Sequence, residues 1–223
     1  MNDQRKKIMT IELKGDPSIS FAADDYAIGI LLRLSPGLEH VKISHPDKGE
    51  LAVSPKHGSY FYHVADAAEF FQADKSSFTV TEVDEKFPPE MYHRRIEDLL
   101  WEAALHAAQG RLIDGLHIYD VLQFTRWPNL TRVPLTPNVM RICALLTRFP
   151  SGVHLARAIL DVEEKEIYSV CSAAKAIGIV NLMNRKNQPD AAEEARVVAQ
   201  AQKASASGPG QFLNRLFMKL SGL

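Results

Sequence analysis

Between residues 136 and 183 the chain reads as three short helices and a strand with almost no slack between them, and that order leaves few folds open. Thr136-Pro137-Asn138 is a start signal, and Val139, Ile142, Cys143, Leu145, Leu146 and Phe149 then recur at helical spacing until Pro150 stops the run. Ser151 is placed to cap a second helix over 153–160, in which Val153, Ala156, Ile159 and Leu160 are apolar. Asp161 opens a turn into a third helix over 163–177, with Leu155, Ile167 and Val170 spaced to stitch the two together. Gly178 ends that helix, and Ile179-Val180 with Leu182-Met183 reads as a strand.

Two helices joined by a tight turn and followed by the first strand of a hairpin predict a winged helix-turn-helix. What such a module binds depends on its third helix. A helix read into the major groove offers Arg, Lys, Asn, Gln or Ser to the bases and keeps negative charge away from phosphates. From Asp161 to Gly178 the acids are Asp161, Glu163, Glu164 and Glu166 and the bases only Lys165 and Lys175, a net charge of −2. Acids in a first helical turn are favoured by the macrodipole, so they stabilise the helix. They also repel the duplex at the point where a recognition helix touches it. Protein contact is the expected use, with Glu163 and Glu164 among the contact residues. The alternative is a DNA-binding transcriptional regulator, in which Arg132, Arg141, Arg148 and Arg157 would meet phosphates.

Chain-wide charge gives nucleic acid no further support. The formal net charge is −1 over 223 residues, where nucleic-acid modules carry a basic excess. No stretch of some 18 apolar residues is present, and Met1–Lys7 lacks the apolar core of a signal peptide behind it. A cytoplasmic protein without stable membrane insertion is expected. Cys143 and Cys171 fall on apolar helix faces and are expected as buried thiols.

Ahead of the helical segment the pattern is mixed. Strands are predicted over 8–13, 41–44, 50–53, 59–63 and 77–83, with turns at 15–17, 47–49 and 57–58. Asp24-Asp25 is placed to cap a short helix over 26–34, and another is predicted over 65–72. A longer one over 91–110 carries Ile96, Leu99, Leu100, Ala103, Ala104 and Ala107 on one side and Arg94, Arg95, Glu97, Asp98 and Glu102 on the other. Residues 118–134 read as an irregular aromatic connector, with Trp127 as a plug between two domains or a partner-binding epitope. After Met183 the chain turns to Asn, Lys, Gln, Ala and Ser, a tether, and ends in Phe212, Leu213, Leu216 and Phe217 at helical spacing, a short docking helix. Whether that helix docks in cis or in trans is left open, as is homo-oligomerisation.

No catalytic constellation emerges. Gly29, Gly37 and Gly49 are dispersed and build no phosphate loop; no Gly-x-Ser-x-Gly elbow occurs; no two histidines stand at i, i+3 or i+4. Asp98 and Glu102, with Arg94 and Arg95 a turn before them, read as a solvated ion-paired surface. No metal and no cofactor is expected.

The strand Ser77-Phe78-Thr79-Val80-Thr81, followed after a proline-containing loop by the helix Ile96-Glu97-Asp98-Leu99-Leu100-Trp101-Glu102-Ala103-Ala104, resembles the PATAN domain of PatA-type bacterial response regulators. The resemblance covers about residues 8–115 and implies a non-catalytic signalling or interaction module of the kind often joined to a winged helix. The expectation is therefore an α+β chain: a PATAN-like module over 1–117, a winged helix with its connector over 118–186, and a tether with docking helix over 187–223. Its expected role is a bacterial-type, non-enzymatic signalling adaptor whose partners are proteins.

Overall fold

The computed structural model describes residues 18–83 and 94–184, and these form an α+β fold. Every described residue falls within one compact unit. The strand expected over 8–13, the tether and the docking helix with Phe212, Leu213, Leu216 and Phe217 lie outside the described residues.

Alternation between apolar and polar residues builds the front half. Strands β2 (Val41–His45), β3 (Gly49–Ser54), β4 (Ser59–Val64) and β5 (Thr79–Glu82) form one antiparallel sheet in the order β4-β3-β2-β5. Its register sets Ile43 opposite both Leu51 and Val80, and Val41 opposite Val53, so one face carries the apolar set. Val41, Ile43, Leu51 and Val53 are buried, whereas Lys42 and Glu50 pair on the other face. The β2–β3 turn requires Gly49: its φ is +107°, and a Cβ there would stand 2.3 Å from the His63 carbonyl oxygen. Helix α1 (Ala27–Leu32) forms where expected, but Asp24 and Asp25 do not cap it. They lie in a 3-10 turn over Ala23–Asp25, and the N-cap is Tyr26, with no side-chain cap bond. Helix α2 (Ala67–Phe71) is capped by Asp66, whose carboxylate accepts the Glu69 N–H at 3.0 Å.

Helix α3 (Ile96–Ala108) is apolar on more than one side, because it packs both on the front elements and on a helix of the rear half. Next to it, β1 (Ser20–Phe21) and β6 (Leu112–Ile113) form a two-residue parallel pair. The rear half then runs β7 (Val121–Phe124), α4 (Val139–Arg148), β8 (Ser151–Gly152), α5 (Val153–Leu160), α6 (Glu164–Ala176) and β9 (Val180–Leu182). Within the connector read as irregular, β7 is a strand, with Leu122 and Phe124 buried. It is the middle strand of a three-stranded sheet ordered β8-β7-β9. A wing hairpin would draw that middle strand from the chain after β9; here it comes from the chain before α4. Ser151 likewise does not cap α5: the N-cap is Gly152, and the buried Ser151 hydroxyl donates to the Phe149 carbonyl at 3.2 Å. One buried core runs from Phe21 to Ile179, so the segments on either side of residue 117 share it.

Candidate functional site

The helix on which binding was expected to depend is enclosed. On α6, Ile167, Tyr168, Val170, Cys171, Ser172, Ala173 and Ala174 are all buried, a run that leaves no continuous free face. Its partners are α4 and α5 on one hand, α3 and β6 on the other. Small side chains at Ala103, Ala104, Ala107 and Ala108 of α3 and at Ser172, Ala173 and Ala174 of α6 allow the two backbones to approach. The α6 hydroxyls are committed to the α3–β6 turn. Ser172 Oγ accepts the buried Ile113 N–H at 2.8 Å and donates to the Arg111 carbonyl at 3.1 Å, while Ser169 Oγ accepts the Gly110 N–H at 3.1 Å. Contact is so close there that a Cβ on Gly110, whose φ is +79°, would lie 2.9 Å from Lys165 Cβ. Only Gly fits.

The acids at the start of α6 divide by role. Glu163, at the N-cap position, is exposed and makes no cap bond through its side chain. Glu164, expected to face a partner, holds His154 Nδ1 at 3.0 Å and Arg157 Nη1 at 3.2 Å, both on α5. Glu166 reaches back to the start of α4, accepting the Asn138 N–H at 2.7 Å and its Nδ2–H at 2.9 Å. Asn138 makes no side-chain cap bond of its own, so Glu166 satisfies the helix terminus from another element. Burial works to raise the Glu166 pKa; the Asn138 hydrogen bonds and the Arg141 charge outweigh it and hold the carboxyl below its ordinary value.

With α6 enclosed, the outward helix is α5. Val153, Ala156 and Leu160 face the core, and the opposite side presents Leu155, 53% exposed, and Ile159, 55% exposed. This corrects the expected inward set: Ile167 and Val170 are buried as expected, but Leu155 points out, because the buried positions of an eight-residue helix are already filled by Val153, Ala156 and Leu160. Met140 and Phe149, near the two ends of α4, are each 60% exposed. Trp127 is not a plug: it is exposed, and Pro128, Leu130 and Val133 of the same connector supply the inward contacts.

One further feature departs from the sequence reading. Asp98, taken as a solvated member of an ion-paired surface, is only 5% exposed. It lines a cleft of about 510 Å³ with Tyr60, Arg94, Glu102 and Arg132, the Arg94 guanidinium standing 5.9 Å from the centre of the Tyr60 ring. Burial raises the Asp98 pKa, opposed by the Arg132 charge and a backbone hydrogen bond at Arg95. Asp98 shares that cleft with residues 131–134, more than 30 positions away, a juxtaposition that helical spacing does not encode. Cys143 and Cys171 are buried free thiols; burial pushes Cys143 up to about 12 and Cys171 higher still. Among the described residues no three His, Cys, Asp or Glu side chains gather to hold a metal ion, and no helix is long and apolar enough to cross a membrane. Comparison with protein-family models, with curated proteins and with solved structures gives no match.

Proposed function

We propose that this protein is a non-enzymatic cytoplasmic signalling adaptor that works through protein contacts of a winged-helix variant. The observation that carries the reading is the enclosure of α6. In a DNA-reading winged helix the third helix lies free in the major groove and aims side chains at base edges. Here that helix is buried against α3, its two serines bond to the 110–113 backbone, and the acids Glu164 and Glu166 of its first turn are engaged by α5 and by the start of α4. With its serines engaged and its face against α3, the helix has few side chains left to aim at bases and phosphates. The surface left to a partner is α5 with its exposed Leu155 and Ile159, together with Glu163 and the exposed Trp127. Apolar side chains of this size on an outward helix suit a protein groove rather than a nucleic acid. The PATAN resemblance rests on β5 and α3, and α3 is the element that encloses α6. In this reading the signalling module therefore supports the helical segment directly.

A binding titration of the full chain against a pool of random duplexes tests the proposal. No selected sequence should be held at sub-micromolar concentration in about 0.15 M salt. Tight binding to one sequence, lost steeply as salt rises, would replace the adaptor reading by that of a transcriptional regulator.

A further inference from the structure

We infer that residues 7–11 of this chain dock on the open edge of the front sheet, pairing antiparallel with β5. The two edges of that sheet differ. On the β4 side the chain entering α3 covers the backbone: the Tyr60 N–H donates to the Arg94 carbonyl at 3.2 Å and the Ile96 N–H to the Gly58 carbonyl at 2.9 Å. On the other side β5 pairs with β2 alone, and all four of its residues are exposed. The Val83 N–H donates to the His40 carbonyl at 3.1 Å, which makes 83 and 40 a hydrogen-bonded pair. By the alternation of an antiparallel ladder, the next such pairs are Thr81–Lys42 and Thr79–Ser44. The N–H and C=O groups of Val80 and Glu82 therefore point away from β2, and among the described residues they have no hydrogen-bond partner. Val80 lies on the apolar face, directly across from the fully buried Ile43, yet is 48% exposed. An edge free of Pro, Lys and bulges is a template for one more strand.

Pattern, charge and tether select the occupant. Residues 8–13, outside the described residues, alternate Met9, Ile11 and Leu13 against Ile8, Thr10 and Glu12. Set antiparallel with Met9 across from Val80, this stretch brings Lys7 opposite Glu82, Thr10 opposite Thr79 and Ile11 opposite Phe78. The charge match survives a wider count: residues 3–7 carry a net +2 and residues 82–86 a net −2, while Glu12 falls toward Lys75 at the other end. The antiparallel sense also leaves Leu13 at the start of β5. There the Tyr26–Asp74 bridge already holds the early chain beside the approach to β5. The five residues from Leu13 to Ser18 can span up to about 17 Å. A parallel segment would carry Leu13 to the far end of β5 and Lys7 away from Glu82. A second copy fits less well, since the two-fold register that uses all four outward groups sets each Val80 against a carboxylate. A strand from another protein must compete with a tethered segment, whose effective concentration is on the order of millimolar.

Hydrogen exchange on the full chain, followed amide by amide by NMR, tests the pairing. The Val80 and Glu82 amides should be protected. Met9→Pro removes the N–H that would donate to the Val80 carbonyl, and exchange at Val80 and Glu82 should quicken about tenfold, with Ile43 and Leu51 unchanged. Ile8→Pro alters a residue whose N–H would face away from β5 and should leave both amides slow. A second measurement is covalent. Thr10→Cys/Thr79→Cys sets two thiols at a non-hydrogen-bonded pair, with Cα atoms about 4.5 Å apart and within disulfide range, so mild oxidation should join them inside one chain. Unprotected Val80 and Glu82 amides in the wild-type chain would overturn the inference, as would two prolines of equal effect. A disulfide that forms only between chains would overturn it in favour of a second copy. The adaptor reading rests on α5 and α6, and none of these results moves it.

Discussion

Glu166 sits on the third helix of the rear half, yet its carboxylate serves the backbone at the start of the first, accepting both the N–H and the side-chain amide of Asn138. Because its pKa is lowered in the folded chain, the carboxylate contributes stability that is fully present above its unfolded value of about 4.3 and is lost as pH falls through the lower folded value. Glu166→Gln should therefore be less stable than wild type at neutral pH, and the gap should narrow as the pH falls below the ordinary carboxyl range. Urea unfolding at several pH values checks this; a gap that stays constant on acidification would refute the assignment. Leu155 gives a second contrast at this scale. Exposed on α5, it should tolerate Leu155→Ala within about 0.5 kcal/mol, whereas Ile167→Ala in the enclosed α6 should cost about 2–5 kcal/mol. Thermal melts of the two variants side by side measure the difference.

The same pair shows where the sequence was legible. Helical spacing placed α4, α5 and α6 to within a residue or two, since an amphipathic run announces itself locally. It did not say which way α5 turns. Leu155 and Ile159 are as apolar as the residues that are buried, and only the third dimension distinguishes them. The front sheet was legible because β2, β3 and β4 each alternate and are separated by glycine turns. Strand β7 was hidden by its context: four residues, followed closely by Trp127-Pro128, are too few to show a period. Yet Leu122 and Phe124 are buried, and the strand bridges β8 and β9, which do not pair with each other. Without it the chain before α5 and the chain after α6 lose their common neighbour. Phe124→Ala should accordingly cost about 3–5 kcal/mol, near the top of the range for a core aromatic. A loss below about 1 kcal/mol by denaturant titration would mean that the small sheet contributes little to stability. The candidate contact surface was the least legible part, since exposure on α5 follows from the enclosure of α6 by α3, a packing between elements some 60 residues apart.

That long-range packing decides how the described part of the molecule should unfold. The sequence reads most simply as two modules meeting near residue 117, and two modules joined by a connector would unfold separately. In the structure α6 is a wall of both halves: it closes the core behind α3 and also carries α4 and α5. Exposing either half would leave Ile167, Val170 and the alanines of both helices in water, along with the Ile113 amide that Ser172 satisfies. Front and rear should therefore unfold together, and two native reporters can test it. Trp101 is fully buried on α3, and with Trp127→Phe, at an exposed position, it becomes the one tryptophan of the chain. Cys143 and Cys171, buried on α4 and α6 with their pKa values raised, should stay inert to thiol reagents until the rear half opens. Along a urea titration the Trp101 emission change and the onset of thiol labelling should share one midpoint. Labelling complete at a concentration where Trp101 still reports a buried environment would show that α6 can leave α3, and the rear helices would then form a separate folding unit.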